Sequence, residues 1–325
     1  MARSEFAIVG AGALGTILAA HLIRSGRSVA LLARGQRAQQ LREQGLRVKG
    51  LSEIALPVDV ITDPSQLRET GTLIVATKTP GSEQTMASLR HVQLERAVSI
   101  QNGVMKDELL SQTYGRERTL GALADTSGEL LASGEVLFTR NVNLFVGELD
   151  GAMSDTAHGI VKAIDDSGVR TTLVPDIVSR EWSKFVGWVG FVSLSLTTRV
   201  ATWKFLSDPD AALLIVRLTR ELNSLARALG ISLTEDRAIL PLGLVIDGTD
   251  TEAVAAVQKA GADYQTKAPE HRMSSLQDLL AGRPLEIHET LGYALRKAKE
   301  QNLSLPLLAS LYSLVSAIDR TRERP

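Results

Sequence analysis

The stretch "FAIVGAGALG", Phe6 to Gly15, constrains this chain more than any other. Phe6–Val9 is a short β-prone run. Glycines at 10, 12 and 15 follow it in the spacing GxGxxG, and Ala13–Arg24 reads as a helix that stops at Gly26. Strand, glycine turn and helix in that order make a phosphate cradle. Gly10 permits the tight turn, Gly12 lets backbone N–H groups approach a pyrophosphate, and Gly15 lets helix and strand pack closely. The helix N-terminus then faces the negative charge. A glycine-rich turn of structural use only is the alternative, and the pattern downstream argues against it.

That pattern alternates. Ser28–Leu32 predicts a second strand, Gln36–Glu43 a polar helix ended by Gly45, and Thr72–Ala76 another buried strand. A helix over Glu83–Arg90 precedes a strand over Ala97–Ile100 that ends in "QNG". Strands separated by helices imply parallel βαβ units with helices on both faces, an α/β fold built on a Rossmann-type doubly wound sheet. "GEVLFTRNVNLFVGE", Gly134 to Glu148, predicts two short strands at hairpin spacing, then a helix near Ala152–Ile164 and a strand around Thr171–Val174. Pro175 marks the boundary. Residues 1–175 form the dinucleotide-binding domain and 176–325 a second, all-helical domain, with helices over 180–199, 209–229, 251–260, 274–281, 285–300 and 305–320.

Composition excludes several classes. The 36 basic and 37 acidic side chains of this 325-residue chain show no electrostatic bias, so a nucleic acid or acidic membrane is not expected as a partner. The absence of cysteine removes disulfides, thiolate catalysis and cysteine metal sites. The first residues run directly into a strand without the pattern of a secretory signal, and a cytoplasmic protein is expected. Phe185 to Leu196 carries no charge, yet it is well short of the about 20 apolar residues that span a bilayer, so protein must bury this helix. A homo-oligomer is left open, because oligomeric state is not readable here.

Several side chains could carry chemistry. An NAD-preferring site places a carboxylate after the second strand, whereas this chain has "LLARG". Arg34 there could pair with a 2′-phosphate, favouring NADPH, or be a solvated surface arginine. Lys78 in "IVATKTP" follows the third buried strand and offers a second cation. Asn102 in "SIQNGV" can donate and accept near a nicotinamide or substrate carbonyl, although an Asn-Gly pair is also simply a turn. Lys184 sits beside the charge-free run. It could snorkel and pair with Glu181, or act as a partly desolvated acid. Ser274 with Gln277 fits a capping box, and Glu286 falls in the first helical turn after Pro284, where a carboxylate is favourable for helical reasons alone. Glu286, His288 and Glu289 invite a metal reading, but their spacing does not share a helix face and no histidine follows at i+4, so no metal is expected.

Taken together, "VGAGALG", "LLARG", "VATKT", "QNGV", "EWSKF" and "SSLQDLLAGRPLEIHETLG" resemble the ketopantoate reductase (2-dehydropantoate 2-reductase) family along nearly the whole chain. The resemblance implies a Rossmann domain, an all-helical C-terminal domain, and NADPH and a small-molecule 2-oxo acid as ligands. It implies that Gly10, Gly12, Gly15, Arg34 and Lys78 hold the cofactor, with Asn102 at the nicotinamide and substrate end. Lys184 would be the general acid and also attract the substrate carboxylate, while Ser274 and Glu286 contact substrate or order the site. The family's asparagines four and eight positions after the lysine are Trp188 and Val192 here. That departure makes a more apolar 2-oxo acid the alternative to ketopantoate. An opine-type dehydrogenase, which would more naturally use a histidine acid, and a non-catalytic NADPH-binding sensor are the competing functions.

Overall fold

Alternation along the first strand sets the architecture of the N-terminal half. In the computed structural model, which describes residues 3–236 and 238–322, Phe6 and Ile8 pack into one apolar cluster and Ala7 and Val9 into another. All four are buried, so β1 (Ser4–Val9) is covered on both faces, as period-two side chains in a central parallel strand require. The same division recurs in β6 (Glu69–Val75), where Ile74 joins the first cluster and Leu73 and Val75 the second.

The described residues form one ten-stranded sheet. Its strands are β1, β2 (Val29–Leu32), β3 (Leu46–Gly50), β4 (Ile54–Leu56), β5 (Val60–Ile61), β6, β7 (Gln93–Ser99), β8 (Thr119–Leu130), β9 (Val136–Glu148) and β10 (Thr171–Leu173). The spatial order is β4-β3-β9-β8-β7-β6-β1-β2-β5, with β10 pairing β9, and all neighbours are parallel except β3–β4 and β8–β9. Helix α1 (Ala13–Arg24) follows β1 and touches β1, β2, β3, β4, β8 and β9. Helix α2 (Gly35–Gln44) carries the chain from β2 near one edge to β3 near the other, so the sheet curls around α1. Residues Gly15 to Leu22 of α1 are accordingly all buried. Helices α3 (Ser82–Leu89) and α4 (Met105–Tyr114) supply Met86, Leu89, Leu110 and Tyr114 to the opposite face, and α5 (Asp155–Asp166) packs on the α1 side.

One expectation is corrected here. Val136–Glu148 is one long strand and not two short ones, because its antiparallel partner β8 runs the full length beside it. The polar middle that suggested a turn stays extended, supported by Arg140 on Asp125 and Asn143 on Thr172. Strands β3, β4, β5 and β8 and helix α4 were not predicted.

The chain divides into two compact units, residues 1–102 with 106–177, and 103–105 with 178–325. Among its described residues the second unit is helical: α6 (Ile177–Thr198), α7 (Thr202–Ser207), α8 (Pro209–Ala228), α9 (Leu242–Asp247), α10 (Asp250–Lys267), α11 (Ser274–Leu280), α12 (Leu291–Glu300) and α13 (Pro306–Thr321). The charge-free run of α6 is its core. Phe185, Val189, Phe191 and Val192 are buried, and a β-carbon on Gly190 would come within 3.3 Å of Ile215 on α8. Asp208 caps α8 at Ala211 N, and the Glu221 carboxylate accepts from Leu307 N and Leu308 N at the start of α13. No described helix is long and apolar enough to cross a membrane.

The helix expected from 285 begins at Leu291. Leu285 and Ile287 are buried while Glu286 is half-buried and His288 exposed, an alternation with period two that an α-helix would break.

Candidate functional site

The three glycines of the loop after β1 differ in what surrounds them. Gly10 has φ +101°, and a β-carbon on it would lie 2.7 Å from the backbone N of Thr77. A β-carbon on Gly15 would lie 1.9 Å from the Gly10 carbonyl oxygen, so only glycine lets α1 rest on β1. Gly12 is different: a β-carbon there would meet no protein atom within 4 Å. Space is kept at the N-cap of α1, which has no side-chain cap and no acid in its first turn. Backbone N–H groups at such an end suit an anion, and the residues present fit the pyrophosphate of a dinucleotide.

The loop opens into a cavity of about 320 Å³. Leu32, Ile61, Leu89 and Leu130 give it apolar walls that suit a flat base, and Arg34 and Arg37 also line it. Among the described lining residues there is no carboxylate. Arg34, the N-cap of α2, is exposed and lies at the end of β2, the position that governs recognition of the adenosine ribose in such sheets.

Lys78 and Asn102 stand beyond the C-terminal ends of β6 and β7, which are neighbours, with Val75 opposite Ser99. Lys78 is exposed and Asn102 half-buried. The curled sheet thus brings Gly10, Gly12, Gly15, Arg34, Lys78 and Asn102 to one edge, where ligands bind in open parallel sheets. Gln101 ties that edge together. Its amide nitrogen lies 3.0 Å from Thr77 Oγ1, 3.1 Å from the Lys78 carbonyl and 2.8 Å from Ser82 Oγ, while its oxygen accepts from Ser99 Oγ at 3.0 Å.

The second unit holds the other candidates. Lys184 lies two turns inside α6, half-buried, not at the helix start. Trp188 and Val192 follow one and two turns along the same face, 9% and 2% exposed. Ser274 is the exposed first residue of α11, but it makes no capping box: the N-cap is Met273, without a side-chain cap, and Gln277 donates instead to the Arg272 carbonyl. Glu286 precedes α12 and its carbonyl accepts from Thr290 Oγ1, so the expected first-turn role does not apply. Beside it Glu289 is half-buried, and burial, reinforced by the Glu286 charge, pushes its carboxyl above the usual range. No group of three or more metal-ligating side chains is found among the described residues.

Sequence reasoning missed Arg37 and Gln101. Each had a signal: Arg37 is three residues beyond Arg34 on the same helix, and Gln101 is the polar residue that closes an apolar strand.

With this geometry in place, the comparisons decide the lineage. Residues 6–151 match the family model for ketopantoate reductase PanE/ApbA, and 176–319 match that for its C-terminal domain. The chain belongs to the ketopantoate reductase family. Among curated members, the 2-dehydropantoate 2-reductase of Archaeoglobus fulgidus is 28% identical over 312 residues, covering 96% of this chain and 97% of that protein. Among solved structures, a PanE/ApbA family ketopantoate reductase from Ralstonia eutropha JMP134 superposes with a TM-score of 0.81 at 21% identity, covering 97% of this chain and 98% of the other. A D-mandelate dehydrogenase solved with NADH and anilino(oxo)acetate gives the same TM-score at 18% identity, with the same coverage. Both likenesses show the fold: a curled, parallel-rich α/β domain and a helical C-terminal domain shared with ketopantoate reductases.

Proposed function

We propose that this ketopantoate reductase family member is an NADPH-dependent reductase of a 2-oxo acid, with 2-dehydropantoate the family's default substrate. The observation that carries the reading is the glycine cradle opening onto a cavity with arginines and no carboxylate in its lining. A carboxylate there would accept from a ribose 2′-hydroxyl and repel a 2′-phosphate. Arg34 attracts the phosphate instead and can engage it in bidentate fashion. Lys78 adds a second cation.

NADPH, when bound, supplies the hydride that reduces the ketone carbon. Lys184 gives its ammonium proton to the carbonyl oxygen as that oxygen gains negative charge, so the product leaves as the 2-hydroxy acid and the lysine is reprotonated from water. Its half-buried position beside an apolar face strengthens that electrostatic effect. Asn102 orients the nicotinamide and the substrate carbonyl, and Ser274 and Glu286 bind the rest of the substrate. The sheet edge and its bound cofactor are cytoplasmic in this reading.

Trp188 and Val192 favour a second substrate class. Two apolar side chains replace amides that would pair with a hydroxylated substrate, and an apolar or aromatic 2-oxo acid suits them better. The D-mandelate dehydrogenase neighbour, solved with an anilino-substituted oxo acid, is consistent with that choice. An opine-type dehydrogenase is less favoured because it would more naturally use a histidine acid. A non-catalytic sensor would not need Lys184, Ser274 and Glu286 together.

The test follows NADPH absorbance with purified protein across 2-oxo acids that include 2-dehydropantoate and an aryl 2-oxo acid. Oxidation with one of them supports a reductase and names its class. Tight NADPH binding without oxidation by any of them would replace the enzyme with a sensor.

A further inference from the structure

Arg37 occupies a position that its own helix disfavours. It lies in the first turn of α2, where the macrodipole is positive, and it is half-buried. Burial also works against its charge and lowers its pKa. A guanidinium is retained in such a place when its donors are used, and here three of them are. Nε donates to the Ala11 carbonyl at 2.8 Å, Nη1 to the Gly134 carbonyl at 2.8 Å and Nη2 to Thr16 Oγ1 at 3.0 Å. These acceptors belong to the glycine loop, the tip of the β8–β9 hairpin and helix α1.

The hairpin tip is built to be held. Leu131 N donates to the Glu135 carbonyl and Gly134 N to the Leu131 carbonyl, each at 2.9 Å, and Gly134 has φ +88°. Register irregularities between Asp125 and Thr126 and between Ser127 and Gly128 separate the tip from the body of the hairpin. The extra residues, Thr139 and Val142, are on β9, and such bulges bend the strand that carries them and increase the local twist. Beyond them Leu130 pairs with Val136 at the end of the ladder. Leu130 is 39% exposed and lines the cavity that Leu32, Ile61 and Leu89 wall from within.

We propose that Arg37 is a positioning residue of the nucleotide cavity: it fastens the β8–β9 tip to the glycine loop, so that Leu130 forms the outer wall against which a purine base packs. The proposal rests on the reading of this cavity as a dinucleotide site. It assigns the two arginines different tasks. Arg34 faces the ligand's phosphate, whereas Arg37 spends its donors on protein acceptors and acts through Leu130.

The test is a fluorescence titration of NADPH and of NADH against the full-length wild type, Leu130→Ala, Arg37→Ala, Arg37→Lys and the Leu130→Ala/Arg37→Ala double variant. Leu130→Ala removes exposed methyl groups and leaves the fold, and should weaken both nucleotides by a similar factor, about three- to tenfold. Arg37→Ala should also weaken both alike, with the wild-type binding stoichiometry kept. A variant that merely unfolds in part would lose stoichiometry instead. Arg37→Lys should not restore affinity, since one ammonium cannot reach three acceptors in a fork. The double variant should be weaker than Arg37→Ala by much less than the Leu130 factor, because coupled residues are not additive. Loss confined to NADPH, rescue by lysine, full additivity or an unaffected Leu130→Ala would each overturn the proposal. A wild type that binds neither nucleotide would remove the dinucleotide reading itself, and this inference with it.

Discussion

The carbonyl oxygen of Gly10 occupies the place of a side chain on Gly15: a β-carbon there would lie 1.9 Å away. Gly15→Ala must therefore push α1 off β1, an overpacking that costs about 1–3 kcal/mol. Gly12→Ala meets no protein atom within 4 Å. Thermal unfolding should register the first substitution and barely the second, whereas nucleotide titration should register both. A stable Gly15→Ala protein that binds normally would contradict the close approach.

The role proposed for Arg34 is to separate the two nucleotides. Hydrogen bonds to charged groups contribute about 1.5–3 kcal/mol, so Arg34→Ala should weaken NADPH by about 10- to 100-fold and leave NADH nearly unchanged. Equal losses for both cofactors would remove the 2′-phosphate role.

Lys184→Ala should lower turnover by about 10²–10⁴-fold, the range for a positioned general acid, with the Kd for NADPH unaltered. Single-turnover absorbance and direct titration measure the two effects separately. Near-normal turnover would return this lysine to a packing role along α6.

His21 gives the fold a dependence on pH. Its Nδ1 lies 2.9 Å from the Ser167 carbonyl and Nε2 3.0 Å from Ser52 Oγ. Burial holds the pKa below 6.5, the Arg24 charge adds to this, and the Ser167 carbonyl opposes it. As pH falls the unfolded chain binds the proton first, so the stabilisation is complete above about 6.5 and is lost as pH drops through the lower folded value. His271, likewise depressed by burial, acts in the same direction. Tm should fall between about pH 7.5 and 5.5, and less steeply in His21→Gln than in wild type. Parallel curves would exclude His21.

The glycine loop and both of its flanking elements were legible because local chemistry alone specifies them. The buried strands were legible wherever apolar side chains run without interruption, as in β1 and β6. β8 was not: its "TLGALADTSGEL" mixes small, polar and glycine residues, and only pairing with β9 keeps it extended. Glu286 was misplaced for a related reason. Pro284 reads locally as a helix start, but burying Leu285 and Ile287 fixes an extended path until Leu291. Arg37 escaped because its partners, Ala11 and Gly134, are remote in sequence and meet only once the sheet has curled.

That curl has a consequence for affinity. Helix α1 is gripped by strands from both ends of the spatial order, β2 on one side and β3 and β4 on the other. Its N-terminus is held by the sheet from both sides, so the backbone amides proposed for the pyrophosphate would be in place before any ligand arrives. In the proposed function, binding at such a pre-formed cradle would lose little ordering entropy, and its selectivity would be set at the rim.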